Sequence, residues 1–301
     1  MPELDPSMLT ERVLSLGRAA PFQQMGRNAL ALFAVAAREE TFSRRTVLVH
    51  AGERAAAVFL ALTGRLRLVG ATGALAAEVD QVGIGALSLL GGGTFLADLV
   101  VEAGTVLLIL DEDSLRSILE ENGAVARTVL RALASKLREL RHTGAPLPPP
   151  PRFPTTARRD LVSRMLLLRE AFRLGRHGTT VVVRLARVAR TVQLREGAPV
   201  WASGEPADVV LVLEGALRLF APGSTEREVG PGEVLGTVEA VARLPMEEQA
   251  TASRPSTLLI LSQSEVGETL EDDDVLAFEL IRSFAATLWI GMGGGPPAED
   301  G

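Results

Sequence analysis

The chain has 301 residues, a formal net charge of −6 and no cysteine. This length suits two domains of ordinary size, and without cysteine there can be no disulfide and no thiolate metal site. The net charge has the opposite sign to that of most nucleic-acid-binding proteins, and no apolar run reaches the roughly eighteen residues that a membrane span needs. We therefore expect a soluble, cytoplasmic protein that binds neither nucleic acid nor a membrane.

Side chains that commonly carry catalysis are scarce. The chain has no tyrosine, a single lysine, Lys136, and three histidines, His50, His142 and His177. No two of these histidines have the spacing of metal ligands on one helix face or strand, and we interpret them as solvated or capping imidazoles rather than as a catalytic base with its nucleophile. We predict that the protein is not an enzyme and that it holds no metal and no cofactor.

The chain begins with two predicted helices and continues with short strands. Residues 5–18 fit a helix with Asp5 as its N-cap and Pro6 at its first position, and residues 27–39 fit a second helix, rich in Ala and Leu. From Thr41 onward, β-type runs alternate with glycine, which is typical of a small sandwich or barrel. The predicted strands are 46–50, 57–62, 65–69, 99–101 and 105–110.

A leucine-rich helical segment follows the strands. Residues 111–141 have helical periodicity, and one stripe of this segment carries Leu130, Leu133, Leu137 and Leu140. Four exposed leucines on one helix would form a patch typical of an interface. The stripe therefore contacts a protein partner or a second copy of the chain, or it packs on the chain's own barrel or second domain. The pattern alone favours neither of these alternatives.

A proline-rich segment separates the two halves of the chain. It ends in four consecutive prolines, 148–151, which favour an extended, stiff spacer. A polyproline ligand for another protein is the alternative. The second half repeats the order of the first: an entry helix through Leu161 and Phe172, strands from about Val192 to Leu261, and a closing apolar helix over 275–290. We predict a first domain at 1–143, a linker at 144–154, a second domain at 155–290 and a disordered tail at 291–301.

The two halves also share an internal sequence repeat. Residues 59–68 lie over residues 210–219 at a shift of 151, and the same shift places Gly85 over Gly236. Residues 107–110 lie over 258–261 in the same register. A constant register over some fifty residues indicates one domain built twice, in tandem, and predicts that any ligand site occurs in two comparable copies.

The order of these motifs resembles the cyclic nucleotide-binding domain family, and the tandem layout is similar to that of the regulatory subunit of cyclic-AMP-dependent protein kinase. The resemblance implies a mainly β fold with flanking helices, made of two tandem eight-stranded jelly-roll barrels. The segments that carry it in the second half are Gly197–Glu205, Leu213–Leu219 and Gly232–Gly236, and those in the first half are Ala51–Glu53, Leu62–Leu66 and Leu110–Asp111.

In that family the ligand lies on a cassette of the form Phe-Gly-Glu-Leu-Ala-Leu-Leu, with an Arg about nine residues after its Glu. Backbone N–H groups and the Arg bind the phosphate, the Gly admits the backbone, and the Glu accepts the ribose hydroxyl. The resemblance places Gly85 and Gly236 at the Gly position. It places apolar or uncharged residues, Ala86, Phe95, Thr237 and Met246, at the Glu and Arg positions. Both copies therefore lack both polar ligands.

Nearby residues offer a weaker substitute. Glu239 and Arg243 lie close to the two polar positions of the second copy, although their i, i+4 spacing is typical of a surface ion pair. The run Gly91-Gly92-Gly93 in the first copy fits either an anion nest or a flexible loop. Losing both family ligands should weaken cyclic nucleotide binding about a thousandfold or more, so we expect no binding at micromolar concentration.

Four functional hypotheses follow. We favour a non-enzymatic regulatory or protein-interaction module with a protein partner or a homodimer. A sensor that binds cyclic AMP, cyclic GMP or another small ligand in an atypical pocket is the main alternative. A transcription regulator would need a helix-turn-helix after a barrel, for which the sequence leaves no room, and a metal-dependent enzyme on a jelly roll would need clustered His and Glu ligands, which the strands lack.

Overall fold

The computed structural model describes residues 5–18, 22, 25–70, 75–79, 84–143, 160–172, 179–221 and 226–295. The chain divides into two compact units: unit 1 contains residues 1–148 and 281–301, and unit 2 contains residues 149–280. This division differs from the expected boundaries at the C-terminus, because the residues from Ile281 onward group with the N-terminal half. The expected linker and residues 296–301 of the expected tail lie outside the described residues.

Unit 1 contains two antiparallel sheets with helices before and after them. In its described residues the helices are α1 (Pro6–Arg18), α2 (Arg27–Ala36), α3 (Ala86–Gly91), α4 (Glu112–Glu121) and α5 (Gly123–His142). The strands are β1 (Arg38–Phe42), β2 (Thr46–Val49), β3 (Ala57–Thr63), β4 (Leu66–Val69), β5 (Leu75–Val79), β6 (Asp98–Val101) and β7 (Thr105–Asp111). One sheet has the order β1-β7-β3 and the other the order β2-β6-β4-β5.

The core of unit 1 is apolar. Its buried cluster draws on strands of both sheets and on the segment after α3, with partly buried side chains, Trp289 among them, packed against it. The buried members are Val49, Ala55, Ala57, Phe59, Leu66, Phe95, Leu99, Val101, Leu107 and Ile109. The sequence pattern predicted five of the seven strands within one or two residues at each end, because these strands carry the apolar side chains that fill this cluster.

Two predictions for unit 1 were wrong at the ends of elements. The second helix ends at Ala36 instead of residue 39, because Arg38–Phe42 pairs along β7 as an edge strand with mostly exposed side chains. Arg and Glu favour helices on their own, so the pairing partner overrides local propensity here. The helical run at 111–141 is interrupted at Asn122, which caps α5 and separates it from α4.

The leucine stripe on α5 packs within the chain. Leu130, Leu133 and Leu137 are buried, each exposing 1–2% of its surface, and Leu140 is half-buried. Of the two alternatives that the sequence left open, the structure therefore shows the internal one. The stripe does not form the exposed patch that an interface would need.

Unit 2 repeats this plan with longer strands. Its elements are α6 (Leu161–Ala171), α7 (Thr179–Val188), β8 (Arg190–Leu194), β9 (Pro199–Trp201), β10 (Val209–Phe220), β11 (Arg227–Val229), β12 (Val234–Leu235), α8 (Thr237–Ala242), β13 (Gln249–Leu261) and α9 (Gln263–Asp272). The last helix, α10 (Asp274–Gly291), begins in unit 2 and ends in unit 1. The strands form a single antiparallel sheet with the order β11-β10-β13-β8, in which β12 pairs with β10 and β9 pairs with β13.

Within the described residues, each unit has eight corresponding strand positions if the two long strands of unit 2, β10 and β13, are each counted as two. At a shift of 151, β10 covers β3 and β4, and β13 covers β6 and β7. The register of β10 against β13 shifts around Gly215, the position that corresponds to the break at Gly64 between β3 and β4. The remaining position of unit 1 is the isolated bridge between Phe59 and Ile84, which matches the pairing of Val210 with Leu235 in unit 2. The expected fold, antiparallel sheets with flanking helices, is confirmed.

Glycine enables a close approach at both of these strand breaks. Gly64 and Gly215 each have a φ of +85°, and a Cβ at either would overlap a hydroxyl-bearing residue, Thr105 or Ser256. Those hydroxyls accept hydrogen bonds from the next backbone N–H groups, those of Arg65 at 3.1 Å and Ala216 at 3.0 Å. Both halves therefore place a left-handed glycine against a hydroxyl-bearing residue at this position.

An arginine recurs at the same place in both entry helices, buried in the first and half-buried in the second. Arg12 on α1 donates to the carbonyl oxygens of Ala34 and Ala37 at the end of α2, at 3.2 and 3.0 Å. Arg164 on α6, 152 residues later, donates to the carbonyl oxygen of Ala189 just after α7, at 3.1 Å. Carbonyl groups at a helix C-terminus lack partners within the helix, so each guanidinium stabilises the turn into the first strand.

Candidate functional site

The segments Ile84–Phe95 and Leu235–Met246, called here the first and second cassettes, have matching backbone geometry. Each has a left-handed glycine as the N-cap of a six-residue helix: Gly85 (φ 97°) before α3 and Gly236 (φ 77°) before α8. A Cβ at Gly85 would overlap the carbonyl oxygen of Ala57, and one at Gly236 would overlap that of Asp208. Glycine is therefore needed at both positions for conformation and for space.

The residues after these glycines carry no charge. Ala86 is buried at 5% exposure, and Thr237 is half-buried. Ser88 on α3 is fully buried, and its hydroxyl forms hydrogen bonds with the backbone. It accepts one from the Ala55 N–H at 3.0 Å and donates one to the Gly93 carbonyl oxygen at 2.6 Å. These side chains leave no carboxylate at the position that the resemblance assigns to a ribose ligand.

Phe95 and Met246 occupy equivalent backbone positions at the ends of the cassettes. The carbonyl oxygen of Phe95 accepts from the Gly52 N–H at 2.7 Å, and its own N–H donates to the Glu53 carbonyl oxygen at 2.8 Å. Met246 makes the same pair of hydrogen bonds with the turn at Gly204 and Glu205, at 2.8 and 2.9 Å. The two residues that the repeat aligns in sequence, Phe95 and Met246, therefore have the same backbone environment in the structure.

Both of these side chains are buried and apolar. Phe95 exposes 1% of its surface and belongs to the core cluster of unit 1, and Met246 exposes 8%. In the resembling family this position supplies the cation that neutralises a phosphate. In this chain the aligned positions carry apolar side chains, a phenyl ring and a thioether, which cannot compensate a charge removed from water.

The two substitutes suggested by the sequence have other roles in the structure. Arg243, in the left-handed cap position after α8, forms an ion pair with Glu271 on α9 at 2.9 Å. Both partners are about half exposed, at 53% and 54%, so the pair lies at the surface. The glycines at 91 and 93 do not form an open loop: a Cβ on either would overlap α10, at Ala286 or Trp289.

The acidic side chains and the histidine at position 50 are further candidate ligands in the part of the chain that the structure describes. Among the described residues, no three His, Asp or Glu side chains come together to hold a metal ion. His50 is 64% exposed and lies 3.8 Å from Asp98, which is a surface contact. No helix in the described ranges is long and apolar enough to cross a membrane.

Sequence reasoning identified the cassette positions but missed Trp289, which lies against the first cassette. Its ring centroid lies 4.9 Å from that of Phe95, and its indole N–H donates to the Thr94 carbonyl oxygen at 3.0 Å. The sequence offered one signal, a tryptophan near the end of an apolar helix and just before Gly293-Gly294-Gly295, but nothing in it indicates which surface that tryptophan contacts.

The chain as a whole is similar to known proteins at low sequence identity. No curated protein matches it. Among solved structures it is similar to the regulatory domain of Toxoplasma gondii protein kinase A with cAMP (16% identity, 89% of this chain and 96% of that one, TM-score 0.36). It is also similar to the regulatory subunit of a cAMP-independent protein kinase A from Trypanosoma cruzi bound to guanosine (14% identity, 99% and 97%, TM-score 0.37).

A family model gives the match that locates the domain along the chain. The model of the cyclic nucleotide-binding domain matches residues 191–273, which run from β8 to the end of α9 and contain the second cassette. The segment 191–273 therefore belongs to the cyclic nucleotide-binding domain family.

Proposed function

We propose that this chain is a non-enzymatic, cytoplasmic regulatory or protein-interaction module made of two cyclic nucleotide-binding-like domains, neither of which uses the family's ligand. The first domain would comprise residues 1–143, and the second would comprise 155–290 without the helical end that groups with unit 1. The proposal rests on the two cassettes. The observation that carries it is that the residues aligned with the family's phosphate-binding arginine, Phe95 in one unit and Met246 in the other, are buried and apolar.

The energetic consequence for a cyclic nucleotide is large. A charge-assisted hydrogen bond from arginine to phosphate is worth about 1.5–3 kcal/mol, and burying the phosphate without it costs at least as much. The ribose ligand is missing as well, because Ala86 and Thr237 stand at its position. Together the two losses correspond to about a thousandfold or more in the dissociation constant.

Calorimetry with cyclic AMP and cyclic GMP tests this proposal. We expect no saturable heat at micromolar protein and nucleotide in the wild-type chain. The matched control is the double variant Thr237→Glu with Met246→Arg, which restores both polar ligands in the second cassette and should raise affinity by about tenfold or more. Saturable micromolar binding by the wild type would contradict the proposal and favour the alternative, a sensor with an atypical pocket.

The protein-interaction part of the proposal rests on exposed apolar side chains that recur in both halves. Leu14 on α1 and Leu166 on α6, 152 residues apart, occupy equivalent positions on the two entry helices. They are 54% and 59% exposed. Isolated exposed leucines are common on protein surfaces, but the same position left apolar in both halves favours a contact with a protein partner or a second copy.

A further inference from the structure

The segment Ile281–Gly295 contacts the loop that ends the first cassette, Gly91–Leu96. Two donors of the segment converge on one carbonyl oxygen of this loop, that of Thr94. The indole N–H of Trp289 donates to it at 3.0 Å, and the backbone N–H of Gly295 donates to it at 2.8 Å. The same indole packs on Phe95, with the two ring planes inclined at 58°.

Glycines on both sides make this contact possible. A Cβ at Gly93 in the loop, or at Gly294 in the segment, would overlap the indole of Trp289. A Cβ at Gly91 would overlap the backbone of α10 at Ala286. The indole of Trp289 therefore lies between Gly93 and Gly294, and α10 packs directly against the backbone at Gly91. Because the contact requires glycine at three positions, it depends on the shape of both surfaces and not only on their apolar character.

The second cassette has no room for an equivalent contact. At the shift of 151, Gly91, Gly93 and Thr94 correspond to Ala242, Leu244 and Pro245. The second cassette thus has side chains, those of Ala242 and Leu244, at the two loop positions where the first cassette needs glycine. The two cassettes therefore differ, and the difference lies in the loop residues and not in the hydrogen bonds that hold Phe95 and Met246.

We propose that the segment Ile281–Gly295 is the built-in occupant of the first cassette, and that it holds the loop Gly91–Leu96 in one conformation without any small ligand. Release of the segment would free this loop, so a protein that captures the Trp289 end of α10 would change the first domain and leave the second cassette untouched. This inference uses the proposed function only in treating the loop as part of a former ligand site.

The two tryptophans of the chain allow a direct test. In a Trp201→Phe background, Trp289 is the remaining fluorescent tryptophan, and its quenching by acrylamide reports whether the indole is clasped. Hydrogen exchange of the peptide covering 86–96 reports the conformation of the loop. The variants are Gly294→Ala, Trp289→Phe and Trp289→Ala in the full chain, and the control is Gly26→Ala, also in unit 1, where a Cβ meets nothing within 4 Å.

We expect Gly294→Ala to increase quenching of Trp289, and Gly294→Ala and Trp289→Ala to accelerate exchange in 86–96 by about tenfold, with a smaller effect for Trp289→Phe and none for Gly26→Ala. Unchanged exchange in both Gly294→Ala and Trp289→Phe would overturn the proposal, whether or not Trp289→Ala folds. Nucleotide is absent from this experiment, so its outcome is independent of the binding test of the proposed function.

Discussion

At the residue scale, the helices that follow the last strand of each unit, α4 and α9, begin with different capping side chains at equivalent positions. Asp111 accepts the Ser114 N–H at 2.8 Å at the start of α4, and Ser262 accepts the Glu265 N–H at 3.2 Å at the start of α9. The hydrogen bonds from Ser114, first from its backbone and then from its side chain, lower the pKa of Asp111, and Arg38 adds to this effect. The capping side chain of α4 is therefore a carboxylate, which titrates in acid, whereas the capping side chain of α9 is a hydroxyl, which does not. The second cap is a capping box, because the Glu265 carboxylate also accepts the Ser262 N–H at 2.7 Å.

This difference predicts a pH-dependent cost of removing the first cap. Because the folded-state pKa of Asp111 is below its ordinary value of 3.8, its contribution is fully present above that value and is lost as the pH falls through the folded-state pKa. We expect Asp111→Ala to cost about 1 kcal/mol at pH 7, and less when the pH falls below about 4. Urea unfolding at several pH values measures this cost.

Ser262→Ala is the matched control for the cap. Its cost should also be about 1 kcal/mol at pH 7 and should stay nearly constant in acid, because a hydroxyl does not titrate in this range. A cost for Asp111→Ala that is the same at pH 3 and pH 7 would refute the assigned role of the carboxylate.

The cassette residues show which parts of a site can be predicted from sequence. The positions of Phe95 and Met246 follow from the constant register of the repeat, and each residue makes the same pair of backbone hydrogen bonds with a nearby turn. Trp289 was not placed, because its contact joins positions 195 residues apart in the chain. A pattern confined to one segment predicts the face of a helix but not the surface that covers that face.

At the element scale, the helix α5 shows the same distinction. Its heptad-like stripe was predicted correctly as apolar, but the surface that the stripe contacts could not be. The structure buries Leu130, Leu133 and Leu137 within the chain, so this face of α5 serves the stability of the fold. The edge strand β1 is the opposite case, since its charged residues gave no strand signal and its existence depends on pairing with β7.

Substitutions on α5 should therefore unfold the chain and not dissociate it. Leu133→Glu places a carboxylate where 2% of the side chain is exposed, and we expect a loss of about 3 kcal/mol or more in the free energy of unfolding. Leu140→Glu, at the half-buried end of the stripe, should cost much less. Urea unfolding measures both effects. A folded Leu133→Glu variant with reduced mass in light scattering would instead identify the stripe as a contact between chains.

At the scale of the whole molecule, the repeat extends from sequence to individual contacts. The same arginine, the same left-handed glycines and the same backbone hydrogen bonds recur at shifts of 151 or 152 residues. The family model matches residues 191–273, which lie in the second of the two repeated halves. The halves differ in their sheets, in the caps of α4 and α9, and at the first cassette, which the segment Ile281–Gly295 contacts.

Association is the prediction that belongs to this scale. If Leu14 and Leu166 contact a second copy, light scattering at tens of micromolar should give twice the mass of one chain. The double variant Leu14→Glu with Leu166→Glu should then give the mass of one chain, with the unfolding free energy changed by less than about 0.5 kcal/mol, because both side chains are exposed. A wild-type mass of one chain would remove the homodimer from the proposal and leave a different protein as the partner.

The position of Trp289 also has a consequence for synthesis on the ribosome. A chain that emerges from its N-terminus completes the sheets of unit 1 long before the residue that packs on Phe95 has been translated. Until then the loop at Gly91–Leu96 is without its occupant, and part of the apolar surface around Phe95 is uncovered. Nascent chains with such surfaces are substrates for chaperones, and contacts of large sequence separation form late. The packing on Phe95 is thus completed only after Trp289 has been translated, although the strands of unit 1 come much earlier in the chain.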